Sequence, residues 1–187
     1  MTFSRTSLVQ TDGDGSSGLD GSNGTSGSTG SFDPDSPSAG GDGSDGSSGS
    51  AGGDGGAGSD APPVTVRVAL RPGNPPLLQV SVSAAKHENL YLVNPQGGTL
   101  TVRADGGRRG SGGSGGRGGS GGMGTPSGRN GNNGSDGRSG SDGYPGRGGS
   151  IAVFYDPEAK PFLGTIHFSN WNGPPPVFKE EAVAPLW

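Results

Sequence analysis

The sequence predicts an all-β sandwich with an inserted and appended bundle of left-handed polyglycine-II helices and essentially no α-helix. Two observations carry this prediction. Glycine, 43 of the 187 residues, recurs at every third position over long stretches. A separate apolar island, 63–104 with 150–170, alternates apolar and polar residues with the period of a half-buried strand.

The glycine period is clearest from Gly107 to Gly149, where every third residue is glycine except Thr125. A flexible Gly/Ser linker has no reason to keep such a period. A chain wound at three residues per turn does, because every third residue falls on one edge. A collagen triple helix would pair the period with abundant proline. Here the stretch contains only Pro126 and Pro145, and the turn at 123–127 divides it into short runs. The preferred reading is a bundle of separate extended helices. A bare glycine edge lets neighbouring backbones approach until their free N–H and C=O groups pair.

In chain order, residues 1–12 read as a lead-in that Phe3 and Leu8 could anchor. Gly15, Gly18, Gly21, Gly24, Gly27 and Gly30 begin the period, and 31–39 reads as a reversal loop. The period resumes from Gly40 to Gly58, giving runs near 13–30, 40–58, 106–124 and 128–149. Their similar lengths suit antiparallel neighbours, each spanning about 55–70 Å at about 3.1 Å per residue. The third run has a second glycine phase at 106, 112, 115, 118, 121 and 124, so it is expected to be the most surrounded. Runs one and four, with side chains on two edges, are expected at the rim.

In the island, Val64, Val66, Val68 and Leu70 mark one strand, and Leu78, Val80, Val82 and Ala84 mark a second after Pro72-Gly73-Asn74-Pro75. Leu90-Leu92, Leu100-Ala104, Ile151-Tyr155 and Ile166-Phe168 supply four more. Six strands without an amphipathic helix point to an antiparallel sandwich or small barrel-like sheet. Runs three and four become an insertion between the strands at 100–104 and 151–155, which should lie close together. The implied divisions are 1–60, 61–104 plus 150–172, 105–149, and a proline-rich extended tail at 173–187. That tail, with Phe178, Leu186 and Trp187, is expected either to dock on another copy or partner or to cover the chain's own sheet.

The net charge of −4 hides a polarity. Residues 1–60 carry nine Asp against Arg5, whereas 101–150 carry seven Arg against three Asp. Candidate interaction residues are therefore Asp42 and Asp45 on one side and Arg108, Arg109 and Arg117 on the other, pairing within or between chains. Simple solvated surface charge is the equal alternative. Without cysteine the runs can be locked only by packing. No apolar stretch reaches the roughly 18 residues of a bilayer span, and the first residues lack the apolar core of a signal peptide. The expected location is cytoplasmic or virion-associated, or outside by a non-standard route.

Catalysis is not expected. His87 and His167 without cysteine do not make a standard zinc site, and no nucleophile elbow, phosphate loop or dinucleotide fingerprint stands in a strand-to-helix context. No cofactor is expected. Gly40-Gly41-Asp42-Gly43-Ser44-Asp45 matches the opening of the calcium-binding nonapeptide, but Ser47 and Ser48 follow where an aliphatic residue belongs, which leaves calcium a minor reading. Arg117-Gly118-Gly119 and Arg147-Gly148-Gly149 echo RNA-binding tracts, yet Tyr144 is the one aromatic among them. Nucleic acid and membrane are not expected partners.

Runs such as Gly128-Arg-Asn-Gly-Asn-Asn-Gly-Ser-Asp-Gly resemble those of polyglycine-II bundle proteins: snow-flea antifreeze proteins, tail-tip adhesins of some T-even-like phages, and the glycine-rich domain of anaplastic-lymphoma-kinase-type receptors. The last is closest in plan, since there too glycine helices are inserted between strands of a β-sandwich. The likeness covers roughly half the chain, in repeat and architecture, and implies a rigid non-catalytic scaffold with no particular ligand. This chain departs from the family in lacking cysteine, a kinase or membrane segment, and a secretion signal.

The function expected is that of a structural or assembly protein that self-associates as a homo-oligomer or filament. The alternative is an adhesin or receptor-binding module whose loops at 31–39 and 123–127 contact a protein or glycan receptor. Ice binding by a regular Ser, Thr and Asn rim is the minor alternative, since Asp and Arg interrupt that face.

Overall fold

The computed structural model describes residues 4–8, in backbone only, with 13–35 and 40–186. Phe3, the Leu8 side chain, residues 36–39 and Trp187 lie outside what is described. The chain divides into two compact units, Met1–Asp14 with Gly58–Arg108 and Pro145–Trp187, and Gly15–Ala57 with Arg109–Tyr144. Among the described residues there are eight strands, one 3₁₀ helix and no α-helix.

The first unit holds all eight described strands. β1 (Ser4–Leu8), β5 (Thr99–Arg103) and β7 (Ile166–Ser169) form a three-stranded sheet in the order β1-β5-β7. β2 (Val64–Arg71), β3 (Leu77–Ala84), β4 (His87–Val93), β6 (Ile151–Tyr155) and β8 (Val177–Glu180) form a five-stranded sheet in the order β4-β3-β2-β6-β8. All six strands expected from alternation are present. The alternation works as read: Val64, Val66 and Val68 are fully buried while Arg67 between them is exposed. They join Leu78, Val80, Val82, Leu100, Val102, Ile151, Val153 and Ile166 in one apolar cluster that draws on both sheets.

The expectation of antiparallel pairing is corrected. Only the β2–β3 and β3–β4 pairs are antiparallel; β1–β5, β5–β7, β2–β6 and β6–β8 are parallel. Short turns link β2 to β3 and β3 to β4, which enforces antiparallel neighbours. β6 arrives after the long glycine insertion, and a long connection leaves it free to enter beside β2 in the same direction. Accordingly β5 and β6 do not share a sheet. Their near ends do meet, because the Gly149 N–H donates to the Ala104 carbonyl at 2.8 Å.

Three further elements lacked an alternating signature: β8, whose Val177-Phe178-Lys179-Glu180 is exposed throughout, β1 and a 3₁₀ helix. β1 is a polar stretch, Ser4-Arg5-Thr6-Ser7-Leu8, paired along β5 from Ser4–Thr99 to Leu8–Arg103. The 3₁₀ helix Pro157–Thr165 begins at Asp156, whose side chain accepts the Glu158 N–H, and buries Ala159. Pro157 stands at its first position, where a missing N–H costs nothing, whereas Pro161 inside it has no N–H for an α-helical bond back to Pro157.

Where β5 ends, Asp105 ties three elements together. It accepts from the Arg103 guanidinium at 2.8 Å, the Ser169 hydroxyl at 2.9 Å and the Trp171 backbone N–H at 2.7 Å. Partial burial pushes its carboxyl pKa up, but the Trp171 N–H, Arg103 and Ser169 outweigh that and hold it below the ordinary 3.8.

Among its described residues the second unit contains no strand or helix. Its four extended glycine stretches are joined by ladders of backbone hydrogen bonds that repeat every third residue. Gly18, Gly21, Gly24, Gly27 and Gly30 donate to the carbonyls of Ser111, Ser114, Arg117, Ser120 and Met123, so the first and third runs are parallel. Gly43, Gly46, Gly49, Gly52 and Gly55 donate in the same manner along the fourth run, from Arg129 to Ser141. The third run donates antiparallel to the second, as in Gly119 to Ser47 at 2.8 Å, and the fourth antiparallel to the third, as in Gly134 to Gly119 at 2.8 Å. The second also donates to the first, Ser47 to Thr25 at 2.9 Å. Runs two and three thus each bond to the three others. The expected burial of the third run is observed: Gly110, Gly113, Gly116, Gly119 and Gly122 are buried, while the glycines of the first and fourth runs in this unit are only half-buried.

Candidate interaction surfaces

Asp42 and Asp45, read from the sequence as charges awaiting a cationic partner, are hydrogen-bonded within their own unit. Asp42 accepts the backbone N–H of Arg129 at 2.7 Å, and Asp45 that of Asn132 at 2.6 Å. In each case the following glycine donates to the carbonyl of that same residue, Gly43 to Arg129 and Gly46 to Asn132, both at 2.9 Å. One Asp-Gly dipeptide therefore satisfies both polar groups of one residue on the neighbouring run. Repeated along the four glycine stretches, this answers backbone groups that an extended segment leaves without an internal partner.

The same role falls to residues the sequence reading did not single out. Asp20 accepts from Ser114, Asn23 from Arg117 and Asp54 from Ser141. Asn130, Asn133, Asp136 and Asp142 accept from Gly124, Gly121, Gly118 and Gly112 of the third run. Each of these side chains immediately precedes a lattice glycine, and that position was the available signal. Between the first two runs the work is done by serine: the hydroxyls of Ser44, Ser47 and Ser50 accept the N–H groups of Ser28, Thr25 and Ser22, each at 2.8 Å.

The arginines are placed differently. Arg109 pairs with Asp142 at 3.1 Å, with both side chains about half exposed, a setting worth little stability. Arg117 is exposed, and its backbone N–H goes to Asn23. In the first unit, Arg108 is exposed and its N–H donates to Asp14 at 2.7 Å. Among the described residues, no ion pair links an Asp of the first two runs to any of these arginines.

The tail lies on its own sheet. β8 pairs with β6, and the Phe178 ring meets Phe168 edge-on with centroids 5.6 Å apart. Beyond β8, Glu181 donates to the Tyr155 carbonyl, Val183 is buried, and the Leu186 N–H donates to the Gln79 side-chain oxygen at 3.1 Å. This explains why Gln79 and Ser81, on the face of β3 opposite Leu78, Val80 and Val82, are 1% and 2% exposed. Trp187 lies outside the described residues.

Two connections of the second unit meet at one end of it. Thr125 donates its N–H to the Gly41 carbonyl at 3.1 Å, and Gly40 donates to the Ser127 hydroxyl at 2.7 Å. The Thr125 hydroxyl also donates to the Ser31 carbonyl at 3.4 Å, so loop 31–35 and turn 123–127 sit side by side, with Phe32 in one and Met123 in the other exposed. Asp33 accepts the Asp35 N–H at 3.0 Å, which shapes the turn around Pro34.

His87 and His167 are both exposed. Among the described residues, no group of three His, Asp or Glu side chains is placed to hold a metal ion. No described helix is long and apolar enough to cross a membrane. No protein-family model, curated protein or solved structure matches this chain.

Proposed function

We propose that the chain is a non-enzymatic structural scaffold, a bundle of four left-handed polyglycine-II helices carried with a β-sandwich, that self-associates. One observation supports it above the rest: every third N–H of each run donates to a carbonyl on a neighbour, with Asp, Asn and Ser side chains taking a second set of N–H groups. A bundle so cross-tied is stiff, and its side chains are spent on its own backbone rather than gathered around a reacting centre. The likeness to polyglycine-II proteins belongs to the same reading, as does the absence of a catalytic role. Amide hydrogen exchange tests it. Lattice glycines such as Gly24, Gly119 and Gly134 should exchange slowly and lose protection together on heating. Exchange at free-peptide rates throughout 15–57 and 109–144 would refute the bundle.

A second reading, a receptor-binding module, is favoured by the juxtaposition of loop 31–35 with turn 123–127 and the exposure of Phe32 and Met123 there. Recognition residues commonly sit on loops held by a rigid scaffold. Replacing both connections by Gly/Ser segments of equal length should leave the bundle folded. Full retention of receptor attachment after that exchange would dispose of this reading.

A further inference from the structure

Among the described strands, β4 and β8 end the five-stranded sheet, and the chain builds these two edges differently. β8 spans only Val177–Glu180, follows Pro174-Pro175-Pro176 and contains Lys179. Short length, proline and lysine are the devices that keep an edge strand from pairing with another chain. β7, at an edge of the three-stranded sheet, is likewise four residues long. β4 has none of these devices. It runs seven residues, His87–Val93, without proline, lysine or arginine. Leu90 and Leu92 lie on one face of it, 51% and 45% exposed.

We infer that the β4 edge pairs with β4 of a second copy, antiparallel, about a two-fold axis at Tyr91. This rests on the self-association reading and gives it an interface. The register follows from the side chains. With Tyr91 opposite its own equivalent, Leu90 of each copy faces Leu92 of the other, giving two apolar cross-strand pairs on one face. Asn89 faces Val93 and Glu88 faces Asn94, so no like charges meet although each chain carries a net charge of −4. The carboxylate of Glu88, the one acidic side chain within β4, already accepts the Ser81 hydroxyl on its own sheet. A head-to-tail alternative, β4 against β8 of the next copy, meets the prolines and Lys179, and would grow an open filament rather than a closed pair. Two five-stranded sheets become one ten-stranded sheet. A single strand pairing buries less than the roughly 1,200–2,000 Å² of a standard interface, so the dimer is of the weak, reversible kind.

The test is sedimentation velocity on the full chain from micromolar to near-millimolar concentration, beside two kinds of variant. The wild type should pass reversibly from monomer to dimer. Leu92→Lys, which adds the missing charge to an already exposed position, should keep its thermal unfolding and raise the dimer dissociation constant at least about tenfold. The chain has no cysteine, so Leu90→Cys supplies a single thiol. A short bis-maleimide should link Leu90→Cys into dimers but not Leu19→Cys, which is 83% exposed in the other unit. Association of the wild type undiminished in Leu92→Lys, or open-ended growth, overturns the β4 pairing and leaves self-association standing. A wild type that stays monomeric throughout overturns both.

Discussion

The Asp45 carboxylate accepts the backbone N–H of Asn132 at 2.6 Å, while Gly46 donates to the carbonyl of the same Asn132 at 2.9 Å. The acid is used for its oxygen, not for its charge. Asn23 does the same for Arg117 at 2.9 Å with a neutral amide. Asp45→Asn should therefore shift stability by no more than about 0.3 kcal/mol, whereas Asp45→Ala should cost about 0.5–1 kcal/mol, because it leaves an N–H to water. Urea unfolding of the three proteins, followed by the protection of the Asn132 amide, separates the two outcomes.

Close approach makes the lattice glycines irreplaceable by anything with a side chain. A methyl group on Gly119 would stand 2.0 Å from the Thr25 carbonyl oxygen and 2.4 Å from its carbon, both backbone atoms. Gly119→Ala should destabilise the bundle by more than about 3 kcal/mol, beyond ordinary overpacking, since two runs must part to admit it. Gly164, with nothing within 4 Å of the same methyl, is the control. Gly164→Ala should stay within about 0.5 kcal/mol of the parent in the same denaturation experiment.

Asp105 sets an acid limit for the first unit. Its folded pKa is depressed, by the Trp171 N–H, Arg103 and Ser169 against the opposing effect of burial. Its contribution to stability is thus fully present above the unfolded value near 3.8 and is lost as pH falls through the lower folded value. Asp105→Asn should lower the unfolding midpoint at neutral pH and flatten the decline on the acid side of 3.8. An acid limb of unchanged slope would assign that sensitivity to other carboxylates.

Tail docking is measurable through Val183, which is buried, and through the Leu186 bond to Gln79. Val183→Ala should cost about 1–2 kcal/mol. Ending the chain after Asn172 removes β8 as well and should cost more, visible as a lower unfolding temperature of the β unit. Equal stability of the shortened chain would mean that the tail serves only a partner.

Much of this architecture was legible in residue order. The three-residue glycine period marked the runs, and the second glycine phase of 106–124 marked the one most enclosed. The period-two alternation of Val64, Val66 and Val68, and of Leu78, Val80 and Val82, located strands and their core faces. β1 escaped because Ser4-Arg5-Thr6-Ser7-Leu8 does not alternate; it is a strand by virtue of its pairing with β5. The acceptors Asp20, Asp54, Asn133 and Asp142 escaped because a carboxylate or amide in a polar repeat reads as solvated surface until a neighbouring backbone is known to face it.

Local chemistry, written in the sequence itself, determined where the chain is extended, where it turns and which edges are bare, because winding, alternation and turn residues act over a few positions. Tertiary structure alone decided which runs are parallel, that β6 enters beside β2 rather than β5, and that Asp42 and Asp45 face peptide groups of the fourth run rather than arginine side chains. Those outcomes depend on which backbone donors and acceptors, distant in sequence, must find partners once water is excluded between them, and no short-range pattern encodes that choice.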